Sequence, residues 1–292
     1  MKIRKVILPV AGFGTRFLPI TKSIPKEMLP IVDKPVLQYA VEEATKAGIE
    51  EIILITSKGK DAMIDHFDKH PELDELVQAK NNQTQIEHLN QLTQVANIVS
   101  IRQKSFRGLG DAIYQAKGVV GDEPFAVILP DDLFYSTKQT AISQLMTVFE
   151  SSSQSVVALE EVPDDMISSY GVASFTEKRD NIIKIDSLVE KPPREKAPSN
   201  FGILGRYIFK NEIFEYIKNT DPDKNGEIQL TTALNSMLTE HPLLGVTLDG
   251  TRYDIGNKFG FVKATIEFGL RHQETKESLL EYLRSNSWKS KL

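Results

Sequence analysis

Residues 5–30 read KVILPVAGFGTRFLPITKSIPKEMLP, an apolar run followed by a glycine-rich, cationic loop. The run KVILPV is typical of a buried strand. In the loop, Gly12 and Gly14 allow backbone N–H groups to approach a ligand closely, and Arg16 and Lys26 bring positive charge to the same place. We therefore predict that a phosphate-binding loop follows the first strand.

The composition is that of a soluble globular chain. Of 292 residues, 40% are hydrophobic, and 35 basic against 40 acidic residues give a net charge of −5. This balance argues against a protein whose whole surface attracts nucleic acid, and it leaves room for a local basic pocket. The absence of cysteine excludes disulfides, thiolate nucleophiles and Cys-ligated zinc, and favours a reducing cytoplasm. Pro9 interrupts the N-terminal apolar run, and no run approaches the roughly 18 residues that span a bilayer. We expect a cytoplasmic protein without membrane or nucleic-acid partners.

Strand and helix patterns alternate through the first half of the chain. Further apolar strands are predicted at EIILITS (51–57), NIVSIRQ (97–103) and FAVILP (125–130), with helices at 36–47 and 111–120 between them. This alternation predicts an α/β fold with a doubly wound, mostly parallel, Rossmann-like central sheet. Ligands of such sheets bind at the carboxyl ends of the strands.

The second half is richer in β-structure. After SSSQS (151–155), predicted to be a short loop, we expect strands within 155–162, 170–175, 181–190 and 201–209, and helices at 211–218, at 227–240 and from 258 onward. The polar segment 72–96 predicts a helical excursion on the surface. The tail from 273 has an amphipathic pattern, with leucines at 279, 280 and 283 on one side, that could pack on its own domain or on a second subunit.

The first loop taken alone has several interpretations. A dinucleotide site would need a third glycine where Phe17 stands and an acid after the second strand, which ends Thr56-Ser57. A P-loop is excluded because Gly59-Lys60 is followed by Asp61, and no G-x-S-x-G elbow occurs. A tight turn with solvated charges stays open on these residues alone.

Asp131 and Asp132 follow the apolar strand FAVILP directly. Carboxylates at the carboxyl end of a central strand lie where Mg²⁺ bound to substrate phosphates would be held, although a turn or helix cap is the plainer interpretation of the pair alone. His66 and His70 have the spacing of helical metal ligands, but without a third ligand nearby a solvated helix face is favoured.

Nine motifs in order carry a resemblance: AGFGTRFLP, PKEMLP, RGLGDA, LPDD, SSYGV, VEKP, GRYIF, GEIQLT and RYDIGNKFG. Together they resemble the bacterial UTP–glucose-1-phosphate uridylyltransferases, within the sugar nucleotidyltransferase family, over about residues 3–270. Phe13 stands where leucine is commoner in that family, and LPDD replaces the frequent LGDD; neither change removes a charge. The resemblance implies one catalytic domain over 1–270, with a nucleotide half of about 1–150 and a sugar half of about 151–270, followed by a helical tail over 271–292.

The resemblance also implies a role for individual residues. It assigns nucleoside contacts to the backbone of Ala11 and Gly12, the phosphates of UTP to Arg16 and Lys26, and the uracil edge to Gln103 and Gly108. Gly14 belongs to the same nucleotide loop. Asp131 would bind Mg²⁺, with Asp254 as a second metal ligand, while Gly171 and Glu190 would hold the sugar hydroxyls and Lys191 the sugar phosphate.

The implied reaction suits these residue types. Glucose 1-phosphate attacks the α-phosphorus of UTP in line, and UDP-glucose and pyrophosphate are formed without a covalent intermediate. Such a transfer depends on positioning, Mg²⁺ and cations. A dTDP-glucose pyrophosphorylase, a non-catalytic nucleotide-sugar sensor and a glycosyltransferase are the alternatives. The last is disfavoured because Asp131 and Asp132 are adjacent rather than spaced as Asp-x-Asp, and because the G-x-G-T-R loop would have no purpose in it. The resemblance further implies a homodimer or homotetramer.

Overall fold

The computed structural model describes residues 2–80, 83–93 and 95–285 of an α/β protein. Its strands are β1 (Lys5–Pro9), β2 (Pro30–Ile31), β3 (Lys34–Pro35), β4 (Glu51–Thr56), β5 (Asn97–Arg102), β6 (Phe125–Ile128), β7 (Asp132–Tyr135), β8 (Ser155–Glu161), β9 (Gly171–Arg179), β10 (Ile182–Glu190), β11 (Phe201–Phe209), β12 (Leu243–Thr247) and β13 (Thr251–Asp254). Its α-helices are α1 (Val36–Lys46), α2 (Ala62–Asp65), α3 (Pro71–Ala79), α4 (Gln83–Thr93), α5 (Gly108–Gln115), α6 (Lys117–Val120), α7 (Ala141–Ser152), α8 (Ile213–Lys218), α9 (Leu230–Met237), α10 (Lys258–Gly269) and α11 (Lys276–Ser285). Within the described ranges, no helix is long and apolar enough to cross a membrane.

Nine strands form one mixed sheet in the order β5-β4-β1-β6-β11-β8-β12-β10-β9. The four strands β5, β4, β1 and β6 are parallel, as the strand–helix alternation predicted. From β11 onward most neighbours are antiparallel, so the prediction of a mostly parallel sheet is wrong for the second half. The reason is connection length: β9 and β10, for example, are joined by two residues, which permits only an antiparallel pair.

Helices cover both faces of this sheet. On one face α1 and α7 pack against β1, β4 and β6, and on the other α5, α8 and α9 pack against β6, β11 and β10. β6 and β11 are buried at every position, which explains why β6 is wholly apolar and why Arg206 is the one charged residue of β11. Because β1 lies between β4 and β6, the order of the parallel strands reverses there, and the loops after β1 and β6 flank a crevice at their carboxyl ends.

Several element boundaries differ from those predicted. The helix expected over 111–120 is two helices, α5 and α6, and SSSQS is divided between the end of α7 and the start of β8. The short strands β7, β12 and β13 were not predicted. The polar segment 72–96 is largely helical as predicted, in α3 and α4. Residues 80, 95 and 96 are not helical, and residues 81, 82 and 94 lie outside the described ranges.

The helical tail is confirmed for α11, and residues 286–292 lie outside the described part of the chain. Leu279 packs against Gly269 at the end of α10. The contact is close, since a Cβ added to Gly269 would lie only 2.8 Å from the Cδ2 atom of Leu279. Leu280 and Leu283 are half-buried. The tail therefore contacts its own chain through Leu279, and its packing on a second subunit stays a prediction.

Candidate active site

The loop after β1 folds back on itself at Gly14. This glycine has a φ of 65°, and a Cβ there would lie 2.9 Å from the Cβ of Lys26, so a side chain would be both strained and crowded. Thr21 donates its hydroxyl to the Gly14 carbonyl at 2.9 Å. By contrast, a Cβ at Gly12 would meet nothing within 4 Å, so this backbone is open to a ligand.

Four of the predicted charged residues lie together at the crevice. The Lys26 ammonium is 3.0 Å from Asp131 Oδ2, and Arg16 donates to the Gly256 carbonyl at 3.3 Å. A Cβ placed on Gly256 would lie within 4 Å of Asp131, Asp254 and Arg16 at once. Two carboxylates and two cations, predicted from separate motifs, therefore form one cluster.

Pairing of β7 with β13 explains how Asp254 reaches Asp131. In that pair Asp254 lies opposite Asp132, and Ile255 donates its N–H to the Asp131 carbonyl at 2.9 Å. Asn257 then caps α10 by accepting from the N–H of Gly260 at 2.8 Å. The motif RYDIGNKFG is thus a strand, a turn and a helix start that hold one carboxylate beside another.

The charge states within the cluster depend on each other. Burial alone would raise the pKa of the Asp131 carboxyl, but Lys26 outweighs burial and the net shift is downward. Burial would lower the pKa of the Lys26 ammonium, yet Asp131 and Glu27 raise it. The site therefore holds an ionised carboxylate beside a protonated lysine at neutral pH.

Asp132 has a different role from Asp131. Its carboxylate accepts from Arg252 at 2.6 Å and from the Gly205 N–H at 3.2 Å. Arg206 donates to its backbone carbonyl at 2.7 Å. Of the Asp-Asp pair expected to hold a metal, only Asp131 faces the crevice, because Asp132 is the first residue of β7 and its side chain is bound by Arg252.

Gln103 and Gly108 flank a short loop at the end of β5. The Gln103 amide nitrogen donates to Asp111 Oδ2 at 2.7 Å and to the Gly108 carbonyl at 3.4 Å, which fixes the orientation of the amide. Gly108 has a φ of 85°, and a Cβ there would lie 3.0 Å from the Ile228 carbonyl. A side chain at Gly108 would strain the backbone itself, so its glycine requirement has a structural cause independent of any ligand.

The loops after β1 and β5 meet above the end of β4. Ser57, just beyond β4, donates to the Ala11 carbonyl at 3.0 Å, and Gln103 donates its N–H to the Thr56 carbonyl at 2.9 Å. Phe13 and Phe106, one from each loop, are both exposed and have ring centroids 4.2 Å apart. The predicted nucleotide residues are therefore brought together around three adjacent parallel strands.

Gly171, Glu190 and Lys191 lie together in the second half. Thr231 donates to Glu190 Oε2 at 2.6 Å, and a Cβ on Gly171 would lie 3.2 Å from the same oxygen. The Lys191 ammonium is 3.3 Å from Glu190 Oε1, and its backbone has a φ of 43°. These residues form a small polar corner with an exposed ammonium at its edge.

Tyr170 and Arg252 connect this corner to the charged cluster. Arg252 binds Asp132 and donates to the Tyr170 hydroxyl at 3.1 Å, while the Tyr170 carbonyl accepts from the N–H of Lys191 at 3.0 Å. Burial raises the pKa of Tyr207, and the charges of Asp132 and Glu190 raise it further. The two groups of predicted residues therefore border the same region.

His66 and His70 each have a local contact. His66 Nε2 lies 3.0 Å from Gln38 Oε1, and burial lowers its pKa. His70 caps α3 by accepting from the Leu73 N–H at 3.3 Å. Among the residues that the structure describes, no group of three or more His, Cys, Asp or Glu side chains is arranged to hold a metal ion by itself. A metal at Asp131 and Asp254 would therefore need ligands from a substrate.

Sequence reasoning missed the supporting side chains. Asp111, Thr231 and Arg252 all belong to motifs quoted above, RGLGDA, GEIQLT and RYDIGNKFG, but no role was assigned to them. The available signal was a polar side chain next to a predicted ligand-binding residue. The hydrogen-bond partner of each such side chain depends on contacts between segments that are distant in the sequence, and the motifs do not reveal those contacts.

Comparisons with known proteins agree with this geometry. The model of the nucleotidyl transferase family matches residues 5–268. A UTP–glucose-1-phosphate uridylyltransferase from Staphylococcus haemolyticus is 46% identical over 283 residues, which are 97% of this chain and 98% of the relative.

Two solved structures are similar over most of their length. A UDP-glucose pyrophosphorylase (UGPase) complexed with UDP-glucose has a TM-score of 0.86 at 39% identity, covering 93% of this chain and 100% of that one. A UTP-bound UGPase from Acinetobacter baumannii has a TM-score of 0.90 at 36% identity, covering 97% of this chain and 99% of that one. The chain belongs to the nucleotidyl transferase family and, within it, to the family of the UTP–glucose-1-phosphate uridylyltransferases.

Proposed function

We propose that this protein transfers the uridylyl group of UTP to glucose 1-phosphate and forms UDP-glucose and pyrophosphate. The observation that carries the proposal is the convergence of Arg16, Lys26, Asp131 and Asp254 at the crevice between β1 and β6. Relatives of the same length are named for this reaction, and similar structures are described as bound to UTP and to UDP-glucose. We further propose that residues 1–270 act as one catalytic domain.

The nucleotide half would hold UTP at the ends of β1, β4 and β5. Ala11 and Gly12 offer backbone to the nucleoside, and Gly12 has room for close approach. The Gln103 amide nitrogen is occupied by Asp111, so its carbonyl oxygen is the atom that would accept from uracil N3–H. Gly108 lies beside it and has no side chain to obstruct the base.

We expect Gln103→Ala to raise the KM for UTP about 10-fold or more and to leave the KM for glucose 1-phosphate unchanged, because a buried hydrogen bond is lost on one substrate only.

Asp111→Asn should reduce discrimination between UTP and CTP, since the Gln103 amide can then turn over and donate to cytosine N3. Steady-state kinetics with each nucleotide measures both effects. Unchanged UTP kinetics in Gln103→Ala would place the base elsewhere.

Asp131 and Asp254 are the residues that would hold Mg²⁺. Both are carboxylates, the hard oxygen donors that Mg²⁺ prefers, and both border the same point beside Gly256. Two carboxylates suffice because Mg²⁺ in phosphate-binding sites takes its other ligands from substrate phosphates and water. When bound, the ion neutralises charge on the phosphates of UTP.

The protein's own groups would position two anions for in-line attack. Arg16 and Lys26 hold the triphosphate and stabilise the charge that develops on the leaving pyrophosphate. Gly171 and Glu190 bind the sugar hydroxyls, and Lys191 neutralises the phosphate of glucose 1-phosphate so that UTP does not repel it. No protein nucleophile is required, which agrees with a chain that contains no cysteine.

A thymidylyl-transferring enzyme and a nucleotide-sugar sensor are the competing functions. The nucleotide substrate of the first, dTTP, differs from UTP by a methyl group on the base and a hydroxyl group on the sugar. A methyl group is worth only about 1–3 kcal/mol of binding free energy in a pocket. Pyrophosphate release with glucose 1-phosphate and Mg²⁺ should be compared for UTP, dTTP, ATP and GTP. We expect UTP to give the highest kcat/KM. Faster turnover of dTTP would favour the first alternative, and tight UDP-glucose binding without turnover would favour the sensor.

We propose that the protein forms a homodimer or homotetramer in the cytoplasm. An exposed apolar row on α10, made of Phe259, Val262 and Ile266 at spacings of three and four residues, supports contact with a second copy. Phe259 is 79% exposed in the single chain. Light scattering of the wild type and of Phe259→Asp tests this, since a charge at the row should lower the measured mass. A wild-type mass equal to one chain would exclude assembly.

A further inference from the structure

Lys60 and Glu27 form a buried ion pair beneath the loop that follows β1. Their side chains are 8% and 2% exposed, and Lys60 Nζ lies 2.8 Å from Glu27 Oε2. The same ammonium donates a second hydrogen bond to the Val10 carbonyl. Neither residue has a role in the reaction as derived so far, although Glu27 is adjacent to Lys26 in the chain.

The two contacts of Lys60 fall at opposite ends of one segment. Val10 is the first residue after β1, and Glu27 lies in the 3₁₀ turn Lys26–Met28. Between them lie Gly12, Gly14 and Arg16. One side chain from the loop after β4 therefore connects the beginning and the end of the whole predicted phosphate-binding loop.

The pair is not arranged for maximal stability. Burial raises the pKa of Glu27 and lowers that of Lys60, and in each case the charge of the partner opposes the effect of burial. Among the described residues, Glu27 Oε1 has no hydrogen-bond partner, and Glu27 borders a cavity of about 10 Å³ together with Lys26 and Asp131. Well-packed apolar residues often replace such a buried pair without loss of stability, so its value here is geometric.

We propose that Lys60 and Glu27 are positioning residues for nucleotide transfer, and that their ion pair sets the distance between the Gly12–Gly14 backbone and the Lys26 ammonium. Neither side chain touches substrate. The pair acts by holding the two ends of the loop at the spacing that one triphosphate requires. This inference rests on the proposed function, because it names the support of that same site.

The decisive variant is the double substitution Lys60→Met/Glu27→Gln. It removes both buried charges together, so the penalty of an unpaired charge in the interior is avoided and the fold should be kept. We expect the Kd for UTP and the KM for UTP to rise at least 10-fold, while the KM for glucose 1-phosphate stays within 2-fold of the wild type. A merely structural role would lower the fraction of active protein and move neither constant selectively.

The matched control is Lys117→Met/Glu215→Gln, which removes an exposed Lys–Glu pair remote from the crevice and should change none of these constants. Glu27→Asp is a second test, since it keeps the charge but shortens its reach by one methylene, and it should also raise the KM for UTP. Thermal melting and calorimetric titration with UTP are performed on every variant.

Wild-type UTP binding and kinetics in a folded double variant would overturn the proposal. If the double variant does not fold, normal UTP constants in folded Glu27→Asp would overturn it equally. The proposed function fails by a different result, namely the absence of pyrophosphate release by the wild-type protein. Calorimetry compares UTP binding between variants whether or not that reaction occurs.

Discussion

Asp131→Asn is expected to lower kcat for UDP-glucose formation at least about 100-fold, the scale of losing one preorganised electrostatic group at a reacting phosphate. The asparagine keeps the shape of the side chain, but it removes the charge that would bind Mg²⁺ and that pairs with Lys26 at 3.0 Å. The measurement is pyrophosphate release with saturating UTP and glucose 1-phosphate over a range of Mg²⁺ concentrations. The Mg²⁺ dependence should shift to higher concentration in the variant.

Asp249→Asn is the matched control for this substitution. Asp249 forms an exposed ion pair with Lys138 at 2.8 Å and lies in the turn between β12 and β13. It should have wild-type turnover and Mg²⁺ dependence. Asp131 is 39% exposed, so its loss should leave the melting temperature nearly unchanged. Near-normal turnover of folded Asp131→Asn would show that the metal is held elsewhere.

Lys26→Ala and Lys191→Ala are expected to affect different substrates. Lys191 is 59% exposed at the end of β10, and its removal should raise the KM for glucose 1-phosphate about 10- to 100-fold, the value of a hydrogen bond to a charged group. Lys26 lies beside Asp131, and its removal should lower kcat and weaken UTP with little effect on glucose 1-phosphate. Calorimetric titration of each substrate into each variant separates the two effects.

Lys196→Ala serves as the control for the sugar side, because Lys196 is an exposed lysine only five residues after Lys191. Lys191→Arg should restore binding only in part, since a planar guanidinium and a compact ammonium differ in reach. A Lys191→Ala protein that bound glucose 1-phosphate normally and lost only UTP would contradict the division of the site into a nucleotide half and a sugar half.

Much of the sheet could be predicted because its central strands are mainly apolar, with Arg206 the one charged residue in β6 and β11. β11 occupies residues 201–209, the range predicted from FGILGRYIF, and the parallel set β5, β4, β1 and β6 was also found. The pairing of the later strands was not predictable in the same way. An apolar run shows that a strand is buried, whereas its direction and neighbours depend on connections and on packing between distant segments.

In the candidate site, too, some residues could be predicted from the sequence and others could not. Arg16, Lys26, Asp131 and Asp254 were placed by motifs, and the structure brings them together. Lys60 was considered in the sequence only as a failed P-loop lysine, because nothing local indicates that it is buried against Glu27. A charged residue is assumed to be exposed until its partner is known, and these partners are 33 residues apart.

The position of β11 has a consequence for how the molecule can move. All nine of its residues are buried, and it is hydrogen-bonded to β6 of the parallel set on one side and to β8 on the other. A hinge between the nucleotide and sugar halves would have to break this ladder. Under the proposed function we therefore expect substrate capture to move only the loops at the strand ends, and the β11 amides should exchange with deuterium only when the whole protein unfolds.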